Sequence, residues 1–408
     1  MLCVLAYAPS LRLPFISDDY IQIELAREYG APGSWGKLAA DPLYRCRATS
    51  LVATWATDRL FGAEPLPFRL SSLILHAANS SLVVVLLAQP LGGVAATAAG
   101  AFFAVHQGHQ EAVIWYAALP ELLLFFFGLL MLLGWRRWLD RGRRTDWLIA
   151  AGMFVLALLS KESAAVLPAL LALTGAGQLG WKSLASRRLW IGLAPFFLVV
   201  PVYFVAAWLH RHEHLHFSDG TFSFGAPFWI VIPRSILRLL WIAGVAAIAV
   251  LAWRRRPWAP VGFALAWMAL ALGPYSFLTY MPHVPSRHTY LAAAGLALLA
   301  GSAFATLWEF VPRRLAIAAA CAAILLNCGY VWTRKHRQYL DRAAPTERLV
   351  RLVQESPEPV SLACFPYSQA VAEATVLVRL GADLRRRLNT AADVSRDGSP
   401  FCFDPPRR

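Results

Sequence analysis

Apolar runs such as Leu122–Trp135 and Ala316–Leu326 carry no charge and recur along the chain, with Arg and Lys gathered into short clusters between them. A segment needs about 20 apolar residues to cross a bilayer as a helix. Inside the bilayer every backbone polar group must be satisfied within the segment, so repeated runs of this kind dictate helices. The chain is 58% hydrophobic and only 15% charged, against roughly 25% charge in soluble domains. A water-soluble globule is excluded. The formal net charge of +14 would point to nucleic acid in a soluble protein. Here the basic residues sit mostly at the ends of apolar segments, where they set topology, and no nucleic-acid partner is expected. Six cysteines without C-x-x-C or Cys/His spacing imply neither a disulfide framework nor zinc.

Eleven crossings are predicted, near 1–13, 68–88, 94–106, 113–135, 146–160, 163–179, 189–209, 238–253, 258–279, 290–310 and 315–333. The fold class expected is an all-α polytopic membrane protein. The first segment is short enough to suggest that a longer first helix has been cut at its start. Basic clusters at Arg136–Arg144, Lys182–Arg188, Arg254–Arg256 and Arg313–Arg314 are expected in the cytoplasm. That leaves loop 15–67, the turn 106–112, the loop 210–237 and the turn 280–289 on the other side. The tail from about 334 falls there too, although Arg334, Lys335 and Arg337 oppose it. Helical spacing at Tyr20–Glu28 and Leu51–Leu60 predicts interfacial helices in the first external loop. The expected division is a membrane domain over 1–334 and a soluble C-terminal tail over 335–408, disordered from about Asp393.

Ionisable residues in or beside a membrane are functional candidates. Asp18 and Asp19 follow the first span, where one could remove a proton while the other orients it or binds a metal. The same pair could cap a helix, and the sequence leaves both open. His106, His109 and Glu111 share a short turn and could converge on a metal or on a proton in flight. Lys161 and Glu162 break an apolar stretch, and Arg287 stands at the mouth of the tenth span, where its fork could hold a phosphate. The tract His210 to Phe217 reads as a solvated loop with adventitious metal affinity. Trp115, Tyr116 and Trp208 fit interfacial belts and could also stack on a sugar.

The order of these groups resembles the GT-C superfamily of integral membrane glycosyltransferases, especially the transmembrane O-mannosyltransferases with tetratricopeptide repeats and their bacterial relatives. Phe15-Ile16-Ser17-Asp18-Asp19-Tyr20 looks like the first-loop acidic motif, and Tyr44-Arg45 like a Tyr-Arg-Pro element with Cys46 in place of proline. Phe68-Arg69-Leu70 through His76 and Asn79 is similar to the second span. His106 to Trp115 resembles a His-Pro-x-His-x-Glu-Ala-Val-x-Trp signature with Gln107 for proline. Ser160-Lys161-Glu162 through Pro168 resembles the Lys-Glu motif, and Arg287-His288-Thr289-Tyr290-Leu291 an Arg-x-x-Tyr-Leu turn. The likeness covers roughly 1–335. Leu119 departs from it where relatives often carry a basic residue, and the tail lacks the repeats.

The resemblance implies a GT-C-like bundle that transfers a sugar from a polyprenyl-phosphate donor to an acceptor hydroxyl on the external face, with inversion. Asp18, Asp19, Glu111 and His109 are the catalytic candidates, with Asp18 as general base. Arg45, Arg69, His76, Lys161, Glu162, Arg287, His288 and Tyr290 are the substrate-binding candidates. A divalent metal ion is an option, with Asp19, His109 and Glu111 as its ligands, and no other cofactor is expected. The expected partners are the lipid-linked donor, membrane lipids and a glycan, lipid or protein acceptor. The expected location is a bacterial inner membrane with a periplasmic site. A lipid-linked sugar transporter or flippase, or a non-catalytic scaffold, would use the same charges without cleaving a bond.

Overall fold

The computed structural model describes residues 1–209, 223, 225–279, 282–389 and 399–403. The His210–Phe217 tract and most of the stretch expected to be disordered lie outside them. The protein is a helical membrane protein. Helices α1 (Leu2–Tyr7), α2 (Asp19–Tyr29), α3 (Trp35–Ala40) and α4 (Ala48–Phe61) lead into α5 (Pro65–Leu91) and α6 (Gly93–Val105). A short α7 (Gln110–Ile114) precedes α8 (Leu119–Arg141), α9 (Arg144–Leu158), α10 (Leu167–Leu179) and α11 (Arg187–Leu209). Then come α12 (Phe228–Trp253), α13 (Ala259–Leu272), α14 (Ala293–Phe310) and α15 (Arg313–Tyr330). A π-helical turn, Val331–Lys335, joins α15 to α16 (His336–Glu355). Among the described residues five helices are long and apolar enough to cross a membrane: Pro65–Leu91, Tyr116–Arg141, Phe228–Trp253, Ala293–Phe310 and the continuous Arg313–Glu355. The remaining expected spans are also helical, most of them shorter, and α11 is continuous with Pro195 and Pro201 inside it.

Leu198, Val202, Leu209, Leu237, Ile242, Val245, Leu325 and Leu326 are all exposed. An apolar belt of this extent is tolerable only against lipid. Hydroxyls inside the bundle stay satisfied by bonding back along their own helices, as Ser80 does to the His76 carbonyl at 2.8 Å, Ser235 to Val231 at 2.6 Å and Ser302 to Leu298 at 2.8 Å. Between helices, Asn79 Nδ2 donates to the Leu122 carbonyl at 3.0 Å, joining α5 to α8.

Packing of α6 on α14 depends on small residues, because a Cβ at Gly301 would lie 2.8 Å from Ala99 Cβ and 2.9 Å from the Ala95 carbonyl oxygen. Backbone cannot yield there as a flexible side chain would. Gly301→Val is therefore expected to destabilise the bundle by about 1–3 kcal/mol. Gly262→Val, at a site with nothing within 4 Å of the added Cβ, is the control, and melting temperatures in detergent compare the two. Equal melting of both variants would remove Gly301 as a packing determinant.

Tyr20–Glu28 and Leu51–Leu60, read from sequence as helices, fall within α2 and α4. The last span does not end near 333. It runs on through α16, and a small α/β unit follows: β1 (Val360–Cys364), α17 (Gln369–Leu380), α18 (Ala382–Arg385), β2 (Leu388–Asn389) and β3 (Ser399–Cys402). The strands form a parallel sheet in the order β2-β1-β3. This sheet is an addition to the all-helical expectation. It has its own core of Leu349, Val353, Val360, Ala372, Val376, Leu388 and Phe401, and α17 packs on α2.

Candidate functional site

The polar motif residues gather at one end of the bundle, at the heads of α8 and α10 and in the turns before α7 and α14. Arg136–Arg144 and Arg313–Arg314 lie at the opposite ends of their helices. Three linked groups make up this end.

The first is an anchor beneath the first loop. Asp19 is fully buried. Its Oδ2 accepts from the Ile16 N–H at 2.9 Å and from Arg69 Nη2 at 3.1 Å, and its Oδ1 accepts from the Ala117 N–H at 2.8 Å. Burial raises the Asp19 carboxyl above its ordinary range, while Arg69 and the two N–H groups work against that. Arg69 also donates to the carbonyls of Ile114 and Pro14, the latter at 2.5 Å. Arg69 and Asp19 thus tie the start of α5 to both motif turns, with the guanidinium bonded to Pro14, Ile114 and Asp19. His76 and Tyr290 are equally internal: His76 Nδ1 bonds the Tyr290 hydroxyl at 2.7 Å and its Nε2 bonds the Ala104 carbonyl at 3.0 Å. Beside them the His109 ring packs 4.2 Å from Phe103 and 4.6 Å from Tyr290, centroid to centroid. Burial pushes His109 well below its ordinary value, with His106 and His76 adding to the effect.

Asp18 is different. It stands at the N-cap of α2 and is half-buried, yet its side chain makes no capping bond. Asp18 and Asp19 thus occupy the N-cap and first-turn positions of the capping alternative, but the Asp18 side chain makes no capping bond. The carboxylate receives the Ser17 hydroxyl at 3.0 Å, and Ser17 holds a φ of +48°. A non-glycine residue at positive φ is strained, and such strain clusters at functional sites.

The second group surrounds Glu111. Its Oε1 accepts from Arg287 Nη1 at 2.8 Å, and its Oε2 from the Ser286 hydroxyl at 2.8 Å and the Arg287 N–H at 3.1 Å. Burial alone would raise this carboxyl, but Arg287 and the two other donors outweigh it, with Arg342 helping, and hold it below the usual range. Arg287 lies 4.9 Å from the centroid of the Trp115 ring, and Arg342 lies 4.6 Å from the same ring. Trp115 Nε1 in turn donates to the Ile16 carbonyl at 3.2 Å, which joins this group to the first loop.

The third group centres on Glu121, whose carboxylate is shared by Lys161 Nζ, His288 Nδ1 and the Tyr275 hydroxyl, the last at 2.8 Å. His288 stacks on Tyr275 at 4.3 Å. Burial pushes His288 down to about 4, with Lys161 acting in the same direction, while Glu121 opposes. Burial also lowers Lys161, against the pull of Glu121. Arg47 approaches Glu162 to 3.7 Å, and Arg45 Nη2 reaches the Ala206 carbonyl at 3.5 Å. Glu121 went unnoticed in the sequence, although it is a lone carboxylate heading an apolar run, the signal that marks functional candidates in membranes. Arg342 was hidden because nothing local tells that its helix returns to the site.

Asp19 and Glu111 spend both oxygens on protein donors, His109 sits in an aromatic cage, and among the described residues no group of three or more His, Cys, Asp or Glu is placed to hold an ion. A separate cavity of about 510 Å³ opens near Arg136 and Gln178, between α5, α10, α13 and α14 and mostly apolar in lining. It contains none of the motif residues.

Residues 51–206 match the family described as dolichyl-phosphate-mannose-protein mannosyltransferase. No curated protein matches the sequence. Among solved structures, the chain is similar to an Archaeoglobus fulgidus oligosaccharyltransferase in complex with zinc and sulfate. The TM-score is 0.48 at 11% identity, over 93% of this chain and 61% of that one. This chain therefore spans less than two thirds of that protein's length. The family match, falling on the segment that carries Arg69, the His106–Trp115 turn and Lys161-Glu162, supports a GT-C superfamily glycosyltransferase.

Proposed function

We propose that the protein transfers a sugar from a polyprenyl-phosphate donor to an acceptor hydroxyl at the external face of a bacterial inner membrane, in a single inverting displacement. One observation carries the reading: Asp18 keeps its carboxylate out of the capping bond its position invites, at the same end of the bundle as Arg287, Lys161 and His288. Asp18 removes the acceptor proton as the acceptor oxygen bonds the anomeric carbon. The bond from that carbon to the phosphate oxygen breaks, and its electron pair leaves on the phosphate. Arg287 holds that phosphate. The Glu121–Lys161–His288 cluster behind it keeps the neighbouring backbone in place, and the buried Asp19–Arg69 pair fixes the angle at which Asp18 is presented. The disulfide at Cys364 supports a tail in an oxidising compartment.

The experiment is turnover of a radiolabelled polyprenyl-phosphate sugar by purified protein in detergent. A transporter would move the lipid without cleaving it, and a scaffold would do neither. Arg287→Lys keeps the charge and loses the fork, so donor KM should rise by about tenfold or more with the fold intact. Normal donor kinetics in both Arg287→Lys and Arg287→Ala would return Arg287 to a purely structural pairing with Glu111.

A further inference from the structure

We propose that Arg342, carried by the helix that leaves the last span, is a second phosphate-binding guanidinium, closing on the donor across Trp115 from Arg287. The proposal rests on the reading above and deepens it by bringing the C-terminal part of the chain into the donor site.

The route of α16 is fixed by contacts to the motif turns at successive points. Asn327 Oδ1, on α15, accepts from the Gln107 N–H at 2.9 Å. The Tyr339 hydroxyl donates to Gln110 Oε1. Tyr20 donates to Glu347 Oε1 at 3.3 Å, and Arg379 of α17 reaches the same oxygen at 3.2 Å. Lys335, Tyr339 and Arg342 recur at four and three residues and so share one face of the helix. Tyr339 shows that this face meets the 106–115 turn. A π-helical turn at Val331–Lys335 stands immediately before the face, and such turns concentrate at functional sites.

Arg342 differs from Arg287 in its charge balance. Both guanidiniums lie within 5 Å of the Trp115 ring, at 4.6 and 4.9 Å, but Glu111 neutralises only Arg287 through a direct ion pair. Among the described residues Arg342 has no salt bridge, and its remaining ring contact is Tyr339 at 5.3 Å. Two cations on one indole with a single counter-charge leave an excess that an anion would balance. The half-buried position strengthens that attraction relative to open solvent. The backbone there is held independently: the Tyr367 hydroxyl donates to the Arg342 carbonyl at 2.6 Å. The Arg342 side chain also bonds the Tyr367 hydroxyl, so a substitution keeps the backbone anchor and loses that one side-chain contact, for which the melting temperature is the control.

The test uses the full chain in detergent and two probes, decaprenyl phosphate without a sugar and decaprenol without a phosphate. Arg342→Ala and Arg342→Gln are expected to weaken decaprenyl phosphate binding and raise donor KM by about 10- to 100-fold, with Arg342→Lys between them and the wild type. Decaprenol binding and the melting temperature should stay at wild-type values. Wild-type affinity for decaprenyl phosphate in both Arg342→Ala and Arg342→Gln would overturn the proposal. An equal loss for decaprenol would also overturn it, as would a fall in kcat and melting temperature with KM unchanged. If the wild type binds decaprenyl phosphate through Arg342 yet transfers no sugar, the glycosyltransferase reading falls and the phosphate site stands.

Discussion

Asp18→Asn is expected to lower sugar transfer by about 10²- to 10⁴-fold while leaving donor binding and the fold intact. That range corresponds to about 2.7–5.5 kcal/mol of lost transition-state stabilisation. The amide has nearly the volume of the carboxylate, and its oxygen can still accept the Ser17 hydroxyl that Asp18 accepts at 3.0 Å. Its side chain caps nothing, so helix α2 should not notice the change. Only the capacity to take a proton is lost. Single-turnover transfer from a radiolabelled donor, beside equilibrium binding of the same donor, separates the two effects. Full activity in Asp18→Asn would sink the proposed mechanism.

Asp19 calls for the opposite expectation. Asp19→Ala should fail in folding more than in chemistry, because it leaves Arg69 fully buried without a counter-charge and strips two backbone N–H groups of their acceptor. Breaking a buried ion pair by removing one partner costs about 3–5 kcal/mol. Arg69→Ala should cost a similar amount, since the Pro14 and Ile114 carbonyls lose their donor as well. Replacing both residues by apolar ones of similar size should recover part of the loss, as no lone charge then remains. Melting in detergent, with monodispersity as a second readout, measures all three. An Asp19→Ala protein that melts like the wild type but transfers no sugar would move Asp19 into the chemistry and reopen the roles of the pair.

The contrast between these two neighbours explains how much a sequence of this kind discloses. The apolar runs revealed the helices because burial in lipid leaves the backbone no other solution: α5 and α14 fall where hydropathy put them, while α8 starts at Leu119 and runs through the basic cluster to Arg141, later at both ends than the 113–135 expected. The motif turns were legible as groups of chemically capable residues. What the sequence could not assign was the division of labour inside each group. Asp18 and Asp19 are adjacent and identical in type, and what sorts them is the approach of Arg69 and Ala117 from elsewhere in the chain, beside the local Ile16 N–H. Arg69, His76 and Tyr290 carried motif status, yet their bonds run into the core. Trp115 was visible, but its two cationic neighbours come from positions 287 and 342, distances along the chain over which no local pattern reports. The tail looked like a short appendage because charge interrupts its hydropathy, whereas its helix is the direct continuation of the last span.

That continuous helix, Arg313–Glu355, also bears on biogenesis. A ribosome delivers the chain from its N-terminus, so the anchor at Asp19 and Arg69 and the turn at 106–115 are inserted long before residues 327–347 emerge. The elements that fasten the far side of the site, Asn327 on Gln107, Tyr339 on Gln110 and Glu347 against Tyr20, are made after every other part of it. During synthesis the first loop is therefore unlatched. The far side of the site is closed only after the anchor and the 106–115 turn are already in the membrane, so the order of synthesis makes its latching a late step relative to the rest of the site.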